Sequence, residues 1–152
     1  MSLIPGLLAL RSPLLGTGTN HEGERFVGRM DVSSLVSGKA VMLTYTATGT
    51  EGAHLHAEST LIGESPSGGL CLWPVMEELP FVLPHQEAGR VSTEHGVKFI
   101  FASGPRDEVD AFREEISIEL KKDGTVSYSH AWGMPGEAFD ERSSCHLTPS
   151  AA

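Results

Sequence analysis

Apolar and polar residues alternate along much of this chain with the two-residue period of β-strands. The alternating segments are short, and turns rich in Gly, Pro, Asp and Ser separate them. The pattern predicts strands over the following segments: Phe26–Val32, Ala40–Thr48, Ala53–Ile62, Leu70–Met76, Arg90–Ser92, Val97–Ala102, Ile116–Leu120, Val126–Trp132 and Arg142–Thr148.

The number and spacing of these strands predict the fold class. Short strands about 8–12 residues apart are typical of all-β barrels and sandwiches. No strand alternates with a long helix, which excludes Rossmann-like folds. Closing an up-and-down sheet removes its exposed edges, and eight or more strands leave room for a small ligand. We predict an all-β fold, a single antiparallel up-and-down β-barrel of about 8–10 strands.

Three segments do not follow the alternating pattern. The first, Leu7–Leu10, predicts a short helical turn or an apolar plug within an N-terminal segment over residues 1–13. The second, Gly16–Gly23, is a loop or the irregular start of a strand. The third, Pro105–Glu115, is either a helix with acidic residues near its start or a charged loop leading into a strand. Residues 149–152 form a C-terminal tail.

Length and charge limit the classes of protein and partner. The 152 residues fit one domain over 1–152, and a net charge of −9 argues against a nucleic-acid surface or an anionic membrane. Two cysteines do not make a disulfide framework. Pro5 and Arg11 interrupt the apolar N-terminus, so neither a signal peptide nor a membrane span is predicted. We expect a cytoplasmic protein.

The segment Lys39–Ile62 predicts a hairpin whose turn is Gly49–Gly52. It carries His54, His56 and Glu58 at a spacing of two residues. Side chains alternate between the faces of a strand, so these three are predicted to project from one side.

This polar triplet has two interpretations. Two imidazoles and a carboxylate can bind zinc or another divalent ion, with a further histidine such as His85 or His130 from another strand. Alternatively the triplet faces solvent, and Leu55, Ala57 and Leu61 point into the core. The second interpretation explains the alternation without a ligand, so we predict no metal. A register slip of one residue would exchange the two faces.

A barrel of this size predicts a small-molecule site in its interior. Aromatic and apolar side chains would supply contact area, and a few polar groups would orient the ligand. The predicted ligand-binding residues are His56, Glu58, Trp73, Met76, His85, Tyr128, His130 and Trp132.

No catalytic motif is recognisable. The chain has no P-loop, and Gly63–Ser67 fails the G-x-S-x-G pattern at its last position. Neighbouring carboxylates at Glu77–Glu78 and Glu114–Glu115 would point to opposite faces of a strand. We therefore predict a solvated acidic exterior, assign no catalytic residue, and expect binding rather than catalysis.

Several segments resemble a known family in order and spacing. They are Leu14–Thr17, Lys39–Glu58 and Glu108–Tyr128, followed by Gly133 and a final strand. Together they resemble the nitrobindin-like and fatty-acid-binding-protein-like (calycin, lipocalin-like) small bacterial β-barrels. The resemblance implies a barrel with a ligand cavity, which in some members binds haem.

The chain departs from the haem-binding members at two places. Their Gly-x-Trp-x-Gly pattern has Gly18 in place of tryptophan here, and Asn20 in place of the second glycine. Their axial histidine falls near Asp140, and a carboxylate is a poor substitute on haem iron. His130 and His146 are the other nearby donors. We therefore predict no cofactor, with haem disfavoured.

Taken together, these patterns predict that the protein binds a small, largely apolar molecule inside a barrel. The alternatives are a haem- or metal-dependent enzyme on the same barrel and a structural protein that dimerises through its outer sheet. A homodimer is compatible with all three.

Overall fold

The computed structural model describes residues 1–150 and contains one short helix and ten strands. The all-β class and the short N-terminal helix are as predicted. The elements are α1 (Leu3–Leu8), β1 (Leu14–Thr19), β2 (Arg25–Leu35), β3 (Ala40–Gly49), β4 (His54–Glu64), β5 (Leu70–Met76), β6 (His85–Ser92), β7 (Gly96–Ala102), β8 (Arg113–Lys121), β9 (Val126–Gly133) and β10 (Asp140–Pro149).

The ten strands form one closed antiparallel barrel. Each strand pairs with its neighbour in sequence, and β1 closes the sheet by pairing with β10 from Leu14 opposite Pro149 to Thr19 opposite Ser144. The predicted up-and-down barrel is therefore confirmed. Closure pairs every strand with two neighbours, which limits the exposed strand edge that could template aggregation. The β5–β6 pairing is the shortest, with Cys71 opposite Gln86 and Leu72 opposite His85.

The two ends of the barrel differ. Successive strands run in opposite directions, so the β1–β2, β3–β4, β5–β6, β7–β8 and β9–β10 connections share one end, which we call the open end. The other connections, the start of β1 and the end of β10 lie at the closed end, where α1 buries Leu3, Ile4 and Leu7 in the hydrophobic core. Gly6 lies against Leu120 there, too close for a Cβ atom.

Inward positions near the closed end are apolar and fully buried. Leu43, Ile62, Leu72 and Ile118 illustrate this, each at 0–1% exposure. Burying one such side chain contributes about 1.5–3 kcal/mol, so this part of the barrel is its main source of stability. α1 has only six residues, and no helix within residues 1–150 is long and apolar enough to cross a membrane.

β1 is more regular than its glycine-rich sequence indicates. Strand pairing covers Leu14–Thr19, although Gly16–Gly23 reads as a loop or an irregular strand start. The glycines allow β10 to approach closely, because a Cβ on Gly16 would lie 1.6 Å from the carbonyl oxygen of His146. Glycine is therefore used here for close approach rather than for a turn.

The segment Pro105–Glu115 forms turns and not a helix, and β8 starts within it. The buried Arg113 explains the conformation. Its guanidinium donates to the backbone carbonyls of Arg106 at 3.0 Å, Met134 at 3.0 Å and Glu137 at 2.8 Å. One side chain thus ties the β7–β8 and β9–β10 loops together at the open end, which no local helix signal reveals.

The closure at Gly16 gives a stability prediction. We expect Gly16→Ala to lower the free energy of unfolding by about 1–3 kcal/mol, because the added methyl group must push the β10 backbone away. Gly63→Ala is the matched control, since its Cβ would lie 3.7 Å from Ala40 and Trp73, at ordinary contact distance. Urea unfolding of both variants tests this. Equal stability of the two would show that β1–β10 packing tolerates a side chain.

Candidate functional site

A cavity of about 600 Å³ occupies the open-end half of the barrel. Ligand pockets in proteins usually measure about 300–1,000 Å³. Its walls combine strand residues with residues of the open-end loops. The apolar lining residues are Phe26, Ala47, Leu55, Met76, Leu79, Phe81, Phe112, Trp132, Met134 and Pro135. The polar ones are Asn20, His21, Tyr45, His56, Glu78, Glu114, His130 and Ser143.

Three polar side chains meet beneath this cavity, and we call His56, Glu58 and His130 the floor cluster. His130 donates from Nε2 to Oε1 of Glu58 at 3.0 Å, and His56 donates from Nε2 to the same oxygen at 3.3 Å. β4 supplies His56 and Glu58 from its inward face, and β9 supplies His130 from across the barrel. The Glu58 side chain is fully buried.

The outer atoms of this cluster also have partners. Nδ1 of His56 donates to Oε1 of Glu78 at 2.7 Å. The Thr60 hydroxyl donates to Oε2 of Glu58 at 3.1 Å. Glu58 therefore accepts three hydrogen bonds, and His56 is held on both sides by carboxylates.

These contacts set the charges of the floor cluster. Burial opposes ionisation of Glu58, but the hydrogen bonds and charges of His130 and His56 outweigh it and hold the Glu58 pKa well below its usual range. Burial likewise lowers the pKa of His56, but Glu58 and Glu78 together raise it to about 9. Glu58 also raises the pKa of the buried His130, against its burial. The cluster thus favours an ionised Glu58 carboxylate beside a protonated His56, with the protonated form of His130 favoured by the same carboxylate.

The predicted alignment of His54 with His56 and Glu58 is wrong. Pairing shifts between His56 opposite Ala47 and His54 opposite Thr48, so Leu55 is an extra residue in a β-bulge. Both Leu55 and His56 line the cavity, while His54 is exposed and contacts Glu77 at 2.8 Å. His54 is therefore separate from the other two.

The alternative interpretation of the triplet as solvent-facing holds for the exposed His54 and the inward Leu55, but it is wrong for Glu58. Glu58 and Thr60 are buried with Ile62, whereas Ala57 and Leu61 are only partly buried. The polar residues Glu58 and Thr60 therefore lie on the inward face of β4, as its pairing register with β3 places them.

Two tyrosines stack beside the floor cluster. The rings of Tyr45 and Tyr128 are 4.9 Å apart in an edge-to-face contact, and Tyr128 and His130 are also 4.9 Å apart. Burial raises the pKa of both phenols, so they remain neutral. The Tyr128 hydroxyl is buried and has no hydrogen-bond partner within residues 1–150.

The remaining predicted ligand-binding residues differ in whether they line the cavity. Met76 and Trp132 line the cavity, and Tyr128 lies next to its floor. Trp73 does not line it: strand alternation places Trp73 on the outer face, opposite Leu61. The expectation that Trp73 contacts a ligand is therefore not supported by its position.

His85 is fully buried and belongs to a second polar pair. Its Nδ1 lies 2.6 Å from the Leu83 carbonyl oxygen, and its Nε2 lies 2.8 Å from Oε1 of Glu114. Glu114 lines the cavity, whereas His85 does not line it and contacts the Glu114 carboxyl group. Glu114 and Glu115 are both buried, which corrects the prediction that the acidic excess is all solvated exterior. Glu115 pairs with Arg106 at 2.6 Å.

Sequence reasoning missed Glu78 and Glu114 as site residues and left Tyr45 unassigned. Glu78 lies in a charged, irregular run where no period indicates a face. Glu114 lies on β8 and is in period with Ile116, Ile118 and Leu120, a signal that could have placed it inside. Tyr45 lies on the same face of β3 as Leu43 and Ala47, two residues from each. This period could have placed Tyr45 inside the barrel.

Comparison with known proteins shows the fold and nothing finer. No family model matches the chain, and no curated protein matches it in sequence. The crystal structure of Rv2717c from M. tuberculosis is similar, with a TM-score of 0.74 over 99% of this chain and 100% of that chain. Sequence identity is 14%, so the likeness supports the barrel architecture only.

The paired imidazole of His56 predicts a pH-dependent stability. Its pKa rises from 6.5 to about 9 on folding, so its contribution is complete below pH 6.5 and is lost as the pH rises through about 9. We expect the stability difference between the wild-type protein and His56→Gln to shrink by up to about 3 kcal/mol over this range.

Urea unfolding in metal-free buffer at several pH values measures this difference. His54→Gln is the control, because His54 is exposed and lies outside the cluster. A difference for His56→Gln that stays constant across the range would contradict the assigned charges.

Proposed function

We propose that the protein binds one small, largely apolar molecule in the open-end cavity. The observation that carries this proposal is the cavity itself, about 600 Å³ with mostly apolar walls above a charged floor. A concave, mainly apolar pocket with a few converging polar groups is the usual form of a small-molecule site.

The polar groups favour a ligand with one polar end. His130 lines the cavity, and its Nδ1 has no hydrogen-bond partner within residues 1–150, because only Nε2 contacts Glu58. Glu114 offers Oε2 in the same way, since Oε1 is held by His85. A hydroxyl or a primary amide can both donate and accept hydrogen bonds, so either group matches an imidazole nitrogen beside a carboxylate oxygen.

The family resemblance adds to this proposal at the level of shape. Nitrobindin-like and fatty-acid-binding-protein-like barrels, in the wider calycin and lipocalin group, are similar in architecture, and an interior ligand is the property we carry over. A cytoplasmic location is part of the proposal, supported by two buried cysteines that are both free. The homodimer stays a prediction.

Haem does not fit the positions that the resemblance points to. Asp140 is an exposed carboxylate opposite Trp132. His146 is exposed, with Nδ1 at 3.3 Å from Lys121. His130 lies in the interior, where its Nε2 contacts Glu58 and its Nδ1 has no partner within residues 1–150. Asp140 is not an imidazole and His146 is exposed, so the position that the resemblance assigns to the axial ligand provides none.

Binding of the apolar fluorophore 1-aminoanthracene tests the proposal. We expect one molecule per chain, with fluorescence enhanced by the dry cavity wall. Trp132→Ala should weaken binding about tenfold, since it removes about 1–2 kcal/mol of apolar contact. Trp73→Ala is the matched control and should bind as the wild-type protein does, because Trp73 lies on the outer face.

Other outcomes would contradict the proposal. Absence of binding, or equal weakening by both substitutions, would mean that the probe does not use the cavity. Urea unfolding of both variants separates lost binding from lost folding. Native mass spectrometry of the purified protein, compared with its denatured mass, would then give the mass of any natural ligand.

A further inference from the structure

We propose that the floor cluster is a binding site for a divalent transition-metal ion of the zinc type. The ligand atoms are Nε2 of His56, Nε2 of His130 and Oε1 of Glu58. The inference goes beyond the proposed function, because it concerns the floor of the cavity and does not depend on the ligand above it.

The first argument is the separation of the three atoms. Zinc bonds to imidazole nitrogen and carboxylate oxygen measure about 2.0–2.2 Å, so tetrahedral ligand atoms lie roughly 3.3–3.5 Å apart. Here Oε1 of Glu58 lies 3.3 Å from Nε2 of His56 and 3.0 Å from Nε2 of His130. The ligand atoms of all three residues lie within 4.8 Å of one another. The two separations that involve Glu58 are therefore close to those found around a single bound ion.

The second argument is the support of the outer atoms. In metal sites, the second nitrogen of a ligating histidine usually donates to a carboxylate or carbonyl, and ligating carboxylates are themselves hydrogen-bonded. Glu78 accepts from Nδ1 of His56 at 2.7 Å, and Thr60 donates to Oε2 of Glu58 at 3.1 Å. Both residues are therefore oriented with the proposed ligand atom directed inward.

The third argument is the unpartnered hydroxyl of Tyr128. It is fully buried beside His130, and an unsatisfied buried hydroxyl costs about 1–3 kcal/mol. A water molecule held by an ion at the floor would offer this hydroxyl a partner.

The cavity lies next to the cluster, because His56 and His130 line it while Glu58 does not. Three protein side chains would leave the fourth position of the ion to a water molecule. Three protein ligands with one open position are characteristic of zinc sites that bind water or a substrate, in contrast to closed structural sites. Glu78 and Glu114 at the cavity wall add negative charge that favours a cation.

Zinc titration of the chelator-treated full-length protein tests the inference. Isothermal calorimetry should show one Zn²⁺ per chain, and Co²⁺ should give the visible absorption of a four-coordinate site. Glu58→Gln should abolish both signals. Near-ultraviolet circular dichroism of this variant checks that it remains folded.

A matched pair of surface variants keeps the test independent of folding. Glu78 and Glu77 are adjacent and are both about half exposed, but Glu78 contacts His56 and Glu77 contacts His54. Glu78→Gln should weaken Zn²⁺ binding by about 10-fold or more, whereas Glu77→Gln should leave it unchanged.

Two results would overturn the site. One is the absence of stoichiometric Zn²⁺ binding by the wild-type protein, which would leave the floor cluster a metal-free network of ion pairs. The other is loss of Zn²⁺ binding in Glu77→Gln while Glu78→Gln binds as the wild-type protein does. That result would place the ion at the exposed His54–Glu77 pair. Binding of 1-aminoanthracene to the chelator-treated protein is measured separately, so either proposal can fail without the other.

Discussion

The buried carboxylate of Glu58 is the group on which the arrangement of the interior depends. An isolated charge in an apolar core is strongly unfavourable, so it must be paired and hydrogen-bonded. Glu58 meets this requirement with His56, Thr60 and His130. The last of these lies 72 residues away in sequence, so the pairing joins β4 to β9 across the barrel. It fixes the register of both strands as well as the charge of the cavity floor.

This polar layer divides the barrel into two halves with different tasks. On the closed-end side, apolar side chains and α1 fill the interior, which supplies most of the stability. On the open-end side the interior is left unfilled, and the loops that surround it are held by the hydrogen bonds of Arg113. Structural and binding demands thus fall on different parts of the same ten strands, and a residue near the mouth can change without loss of the core.

The sequence was sufficient for the architecture because strand alternation is a local property. It predicted a closed barrel and the inward candidates His56, Glu58 and His130. It could not show their convergence, since contact between β4 and β9 follows only from closure. The bulge at Leu55 separates His54 from His56. The alternation of apolar and polar residues in the sequence gives no sign of this bulge. Glu78 comes from a loop with no period, whereas Glu114 is the second residue of β8 and precedes the alternation that was recognised from Ile116. Trp73 was misplaced because register decides which face of a strand points inward.

The floor cluster would carry the same net charge in its metal-free and its metal-bound state. When both imidazoles are protonated and Glu58 is ionised, the three residues carry a net charge of one positive unit. A divalent ion bound to two neutral imidazoles and the same carboxylate carries the same net charge. The surrounding carboxylates Glu78 and Glu114 therefore stabilise either state. Exchange between the two states releases protons instead of changing the local charge, which is the usual coupling of metal binding to protonation. The floor cluster therefore presents the same net charge to the polar end of a ligand with or without the metal ion. Selection among ligands then depends on the apolar walls of the cavity.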